Sequence, residues 1–320
     1  MTKLRSTLSR VLPIIGVSLF AYILYRVGPL SIWQEFKGIN LYYFCIAVLL
    51  LIPTMLIKAY KWQGILKNLD FHYPLLESFK VVLISYFIGS ITPARLGDFS
   101  RAAYLKQKGM PLVRGFTSIL IDRIFDIGLM LVGAVICVLT FSNLYGATSF
   151  FVRVMVVFAI CFTIGLFLLT RKNFMRKMLR PFFYFLVPDR FHIKMKTAFD
   201  EFYSTVLHFI KTPAPSISLA LSTISSWLLA FLSLYFGAMA LGIPISYFMI
   251  LLILPFTTLV EALPISFSGI GTRDAVLILL FTLLGLSSTS AVSFSIMILL
   301  LNYIMNIFGG LLWLKKPFKI

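Results

Sequence analysis

The chain has 320 residues, of which 60% are hydrophobic and 12% charged, and its formal net charge is +18; soluble domains carry roughly 25% charged residues. Those proportions exclude a soluble globular enzyme and leave an all-α polytopic membrane protein, with room for six to eight spans at roughly 20 apolar residues each. The Lys and Arg excess crowds at the ends of apolar runs, which fits topology signals and anionic headgroups and argues against nucleic acid as a partner.

Lys3, Arg5 and Arg10 precede the first apolar run, and no small-residue cleavage site follows Tyr22 to Gly28, so a retained helix is expected instead of a signal peptide. Full spans are predicted at 11–27, 41–59, 115–141, 152–170, 213–241 and 289–314, six in all. Two further apolar stretches differ. Segment 75–92 runs into Pro93-Ala94-Arg95-Leu96-Gly97-Asp98-Phe99-Ser100-Arg101, and 245–263 runs through Pro264-Ile265-Ser266-Phe267-Ser268-Gly269-Ile270-Gly271-Thr272-Arg273-Asp274 into 273–287. Pro, Gly, Arg and Asp after an apolar helix make a broken helix, which membranes tolerate only beside protein or a polar cavity.

The positive-inside rule puts the N-terminus in the cytoplasm and, with it, the second connection, to which Lys58, Lys61 and Lys67 are assigned. A full crossing at 75–92 would then put the basic segment 171–211 outside, against the rule. A re-entrant hairpin from 75 to about 107, turning at Pro93 to Gly97, satisfies every connection. Both termini are then cytoplasmic. The pair 245–263 and 273–287 gives the same final orientation as a re-entrant hairpin or as two full spans. Re-entry would come from outside, opposite to the first hairpin, as in an inverted repeat. The count is therefore six full spans plus two broken or re-entrant hairpins, up to eight spans, in one domain, 1–320.

Segment 171–211 mixes Phe182, Phe183, Tyr184, Phe185 and Phe191 with Arg and Lys, the composition of interfacial helices or of a cytoplasmic connector. Inside the span at 115–141, Ser118, Asp122 and Asp126 fall in one helical row with Arg123 beside Asp126. Each lipid-facing central charge would cost about 2.5–3.5 kcal/mol against about 0.3–0.6 returned per Leu or Ile. These charges must face protein or water and pair, Arg123 with an acid such as Glu261, or with a lipid phosphate, which guanidinium geometry suits. Lys80 is expected to snorkel to the cytoplasmic surface. Cys45, Cys137, Cys161, His72, His192 and His208 are scattered, so neither a disulfide set nor a metal site is expected.

The run from Gly89 to Asp126, with Pro93-x-Arg95-x-Gly97-Asp98-x-x-Arg101 and Asp122-Arg123-x-x-Asp126, and the later Leu263-Pro264-x-Ser266-x-x-Gly269-x-Gly271-x-Arg273-Asp274, resembles the lysylphosphatidylglycerol synthase transmembrane region, or flippase-like domain family. The resemblance extends over nearly the whole chain. Asp98, Asp122 and Asp274 stand where Glu is commoner in the family, with charge kept and reach shortened.

What the resemblance implies is a helical domain of the cytoplasmic membrane that moves a lipid between leaflets. The chain ends at Ile320 without the aminoacyl transferase domain of the fused synthases, so no enzyme activity and no cofactor is expected. The expected binding set for a lipid phosphate is Arg95, Gly97, Asp98, Arg101, Asp122, Arg123, Asp126, Glu261, Ser266, Gly269, Gly271, Arg273 and Asp274. Half-helix N-termini near Leu96 to Ser100 and Thr272 to Ala275 would offer free amides to the same phosphate. Expected partners are membrane lipids, whether anionic phospholipid or polyprenyl-linked lipid, and further copies of the chain. Two other readings belong to different classes: a non-catalytic anchor for a glycosyl or lipid-modifying transferase docked on 171–211, and a membrane enzyme using Asp98, Asp122 or Asp126 as acid and base.

Overall fold

The longest uninterrupted apolar runs form the longest helices. A computed structural model describes residues 20–92, 97–145, 160, 164, 200, 203, 204, 207, 213–262 and 269–315. The helices among them are α1 (20–27), α2 (Pro29–Lys37), α3 (Leu41–Lys67), α4 (Leu75–Ser90), α5 (Ser100–Gln107), α6 (Leu112–Tyr145), α7 (Pro213–Ala240), α8 (Tyr247–Ala262), α9 (Thr272–Leu283) and α10 (Ser288–Lys315). Among the described residues four helices, α3, α6, α7 and α10, are long and apolar enough to cross a membrane. With 27 residues, α3 is about 40 Å long, more than the roughly 30 Å of hydrocarbon. Leu49, Ile52, Leu56, Ile136, Leu139 and Leu221 on these helices are exposed, as a lipid solvent permits. The chain is a multi-pass membrane protein. Apart from residues 160, 164, 200, 203, 204 and 207, the span at 152–170 and the segment 171–211 lie outside the described residues, as does the start of the first span.

The second connection, to which Lys58, Lys61 and Lys67 were assigned, starts later than expected. Helix α3 does not stop near residue 59 but runs to Lys67, so Lys58 and Lys61 are helical, and Lys61 is buried at 1% exposure. A lysine can sit there because two carboxylates neutralise it, as described below. Helix α2, which follows α1 directly at Gly28, was not foreseen either; it presents Leu30 and Trp33 outward and Ile32 inward.

Helices α3 and α7 lie side by side and antiparallel. Asn40 N–H donates to the Ala240 carbonyl at 2.8 Å at one end, Ser233 Oγ donates to the Ala47 carbonyl at 2.7 Å, and Gly64 meets Leu219 toward the other end. From the Lys67 end a short connection leads into α4, and from the Ala240 end another leads into α8. The helices that lead into the two interruptions, α4 and α8, therefore start from opposite ends of one helix pair.

The 16 residues of α4 and of α8 make about 24 Å each, too short to cross alone. After α4 the chain turns back. A Cβ on Gly97 would collide with the backbone carbonyl of Ile88, so the returning strand of chain passes hard against the last turn of α4. Leu105 and Met110, at the far foot of the hairpin, share an apolar cluster with Leu69 and Tyr73, which precede α4. The first interruption is thus a hairpin whose two feet meet.

The main core lies between α3, α4, α6, α7, α8, α9 and α10 and includes Met55, Leu83, Ala134, Ile253, Phe281 and Phe294. Glycine sets its tightest approaches. Gly133 of α6 packs beneath Pro255 of α8, and Gly309 of α10 sits so close to the Leu83 carbonyl of α4 that a methyl group would not fit. Close backbone approach through small residues is how membrane helices associate where lipid supplies no hydrophobic drive.

Candidate functional site

Helix α6 buries its polar row inward. Ser118, Asp122 and Asp126 are all buried, with Arg123 partly open at 29% side-chain exposure. The Ser118 hydroxyl donates to the Gly115 carbonyl at 2.7 Å and accepts from Trp62 Nε1 at 3.2 Å, which docks α3 against this face.

Lys61 follows one step from Trp62, and its ammonium reaches Asp122 Oδ1 at 2.6 Å and Asp126 Oδ1 at 2.7 Å. Asp126 Oδ1 also accepts from Trp227 Nε1 of α7 at 3.1 Å. Removing these ions from water costs several kcal/mol each, so they persist only with good geometry and additional hydrogen bonds. The Trp227 indole supplies one such bond, to Asp126.

The first hairpin completes the constellation. Arg101, in the first turn of α5, is buried; its Nη1 donates to Asp122 Oδ2 at 2.9 Å, and its guanidinium lies 5.3 Å from the Trp62 ring centroid. Asp98, just before α5, accepts from Arg123 Nη2. Gly97 N–H donates to Thr92 Oγ1 at 2.7 Å, and Gly89 packs against the Asp98 carboxylate, so glycines at both sides of the turn set where Asp98 points. Three cations, Lys61, Arg101 and Arg123, meet three carboxylates, Asp98, Asp122 and Asp126, in one neutral cluster. Arg123 is its most open member.

The second interruption builds a different arrangement. Gly269 and Gly271 have φ of +75° and +88°, a conformation that other L-residues rarely adopt, and these two positions aim the chain into α9. Arg273 is buried; its Nε donates to Ser295 Oγ at 2.8 Å, its Nη2 to the Ser295 carbonyl at 3.2 Å, and its Nη1 lies 3.8 Å from Glu261 Oε2. Gly269 packs on the Glu261 side chain. Asp274 Oδ2 accepts the Gly271 N–H at 2.7 Å, and the Ala275 N–H donates to the Gly271 carbonyl at 3.0 Å. Of the amides expected to be open from Thr272 to Ala275, that of Ala275 is used within the helix, and Asp274, three residues after the cap, takes the Gly271 amide just before them.

The expected set thus divides between two places. Gly97, Asp98, Arg101, Asp122, Arg123 and Asp126 come together on α6 and the first hairpin; Glu261, Gly269, Gly271, Arg273 and Asp274 come together at the second. Helices α6 and α8 are direct neighbours through Gly133 and Pro255. The acid paired with Arg123 is Asp98 and that paired with Arg273 is Glu261, where the sequence suggested Arg123 with Glu261. Lys80 pairs with Glu77 at 2.7 Å and is one-third exposed. Arg95 and Ser266 lie outside the described residues. No group of three His, Cys, Asp or Glu suited to a metal ion occurs among the described residues.

Lys61, Trp62 and Trp227 are the members that the sequence did not reveal. Charge alone put Lys61 in a loop, yet the apolar pattern continues beyond it through Trp62, Ile65 and Leu66, all buried, and that continuation was the available signal.

A family model described as the lysylphosphatidylglycerol synthase TM region matches residues 10–310. A UPF0104 membrane protein of Methanocaldococcus jannaschii is 23% identical over 318 residues, 95% of this chain and 94% of that protein. One of Pyrococcus horikoshii is 23% identical over 96% of each chain, and one of Methanothermobacter thermautotrophicus is 21% identical over 92% of this chain and 90% of its own.

Proposed function

Because the chain belongs to the lysylphosphatidylglycerol synthase transmembrane-region family, we propose that it is a lipid translocase of the cytoplasmic membrane, moving a phosphate-bearing headgroup between leaflets while the tails stay in lipid. The observation that carries this reading is the Arg123–Asp98 pair, in which the most open cation of a buried neutral cluster is held by a carboxylate on a re-entrant turn. A headgroup phosphate has the charge and oxygen geometry to take the place of Asp98 on that guanidinium. Phosphate arrival frees Asp98 and with it the hairpin, so binding and opening are one event. Lys61 and Arg101 keep Asp122 and Asp126 neutralised throughout. The reading supposes both termini in the cytoplasm, no covalent step, and membrane lipids as the partners.

The test is translocation in proteoliposomes, with a headgroup-labelled phosphatidylglycerol whose exposure is read by a membrane-impermeant quencher. Wild-type protein should move the label, and Arg123→Gln should fall to the rate of protein-free vesicles while still inserting and eluting as a folded species. An unchanged rate in that variant would sink the proposal.

A further inference from the structure

Among the described residues, one cation away from the helix ends is left over when the ion pairs are matched. Lys61, Arg101 and Arg123 are paired with Asp98, Asp122 and Asp126, Lys80 with Glu77, and Arg273 with Glu261; Lys58 has no ion pair. Its ammonium instead lies 4.5 Å from the centroid of the Trp227 ring and 5.6 Å from that of Tyr86. These rings come from α7 and α4, so Lys58 stands where three helices meet. The indole N–H of Trp227 is turned to Asp126, which ties Lys58 to the edge of the neutral cluster through one ring.

Depth makes the unmatched charge costly. Lys58 is four residues from the middle of α3, about 6 Å along its axis. A lysine that only needed water would extend toward the headgroups, whereas this one is laid over two aromatic faces. Cation–π contact recovers only part of the cost of an unpaired ammonium at such depth. The residue is half-buried, so part of its side chain remains accessible beside the rings. A compact ammonium with three donors is a point-charge receptor for phosphate.

We infer that Lys58 is a phosphate-binding station, flanked by Trp227 and Tyr86, for the anionic group that the protein transports. The inference rests on the translocase reading and adds to it a site on α3, distinct from Arg123 on α6. An anion at Lys58 is held by a cation with no competing carboxylate, whereas one at Arg123 must displace Asp98.

Two measurements test it. In wild-type protein, acylation of Lys58 by an amine-reactive ester, followed by peptide mass mapping and normalised to Lys106, should be slowed several-fold in nanodiscs containing phosphatidylglycerol relative to phosphatidylcholine alone. Inorganic phosphate added to the phosphatidylcholine discs separates the sources. Protection by it identifies a free-ion site, and protection by the anionic lipid alone identifies a headgroup site. Equal acylation under all three conditions overturns the inference without relying on any variant.

Native mass spectrometry of purified protein should then show retention of phosphatidylglycerol weakened about tenfold or more in Lys58→Met and kept in Lys58→Arg, as expected for loss of one charge-assisted contact. Wild-type retention in Lys58→Met overturns the site and leaves the translocase reading standing. Failure of the wild-type protein to retain any anionic lipid overturns both.

Discussion

Lys61→Met should lower the stability of the purified protein by about 3–5 kcal/mol, the range for removing one partner from a buried ion pair. The loss arises less from the missing attraction than from what stays behind. Asp122 and Asp126 are both buried, and each faces the Lys61 ammonium at 2.6–2.7 Å. Arg101 continues to hold Asp122, and Trp227 gives Asp126 only a neutral hydrogen bond, so Asp126 suffers most. Thermal unfolding followed by intrinsic fluorescence should show the midpoint falling by on the order of ten degrees. Adding Asp126→Asn to Lys61→Met removes the stranded charge and should restore a large part of the loss, a strong non-additivity diagnostic of a shared network. If the double variant were merely the sum of the two single losses, the ionic cluster as described would be wrong.

Gly97→Ala should be the second most damaging small change, and for a steric reason. An added Cβ meets the carbonyl carbon and oxygen of Ile88 and lies 2.5 Å from the Gly89 nitrogen. All of these are backbone atoms of a packed helix end and cannot rotate aside. The turn must therefore lift away from α4, carrying Asp98 from Arg123 and Arg101 from Asp122, at about 1–3 kcal/mol for the overpacking alone. Translocation in the quencher assay should fall along with the thermal midpoint. Gly128→Ala is the internal control: it lies in α6, within a few residues of the same charges, with open space around its added Cβ. It should be neutral or stabilise slightly, because alanine favours the helix by up to about 1 kcal/mol over glycine. Equal effects at the two positions would mean that the close approach of the turn to α4 does not govern the hairpin.

Much of the architecture was legible because lipid imposes simple rules. Runs near 115–141, 213–241 and 289–314 became α6, α7 and α10 within a few residues, since backbone groups in hydrocarbon must be satisfied within the helix. Charge parity suggested that the segment 75–107 turns back on itself, and the packing of Leu105 and Met110 with Leu69 and Tyr73 agrees with that return. Parity gave no decision on the second break, but the antiparallel α3/α7 pair brings it in from the opposite end.

The site was legible only by helix row. Ser118, Asp122 and Asp126 could be aligned at 100° per residue, while their partners came from distant elements that periodicity does not connect. Lys61 was misassigned because topology rules treat every lysine as a loop marker, and they have no means of seeing two carboxylates waiting on another helix. Arg273 and Asp274 were grouped with Arg123 by motif, yet Ser295, Glu261 and the Gly271 amide engage them locally.

The central claim is exchange on Arg123: an anionic headgroup takes the guanidinium from Asp98. Retention of phosphatidylglycerol by Asp98→Asn and by Arg123→Gln, compared in native mass spectra of the purified proteins, tests it most directly. Exchange predicts opposite outcomes, with Asp98→Asn holding at least as much lipid as wild type because its competitor is gone, and Arg123→Gln holding little. Equal losses in the two variants would mark the pair as a purely structural clasp and contradict the account.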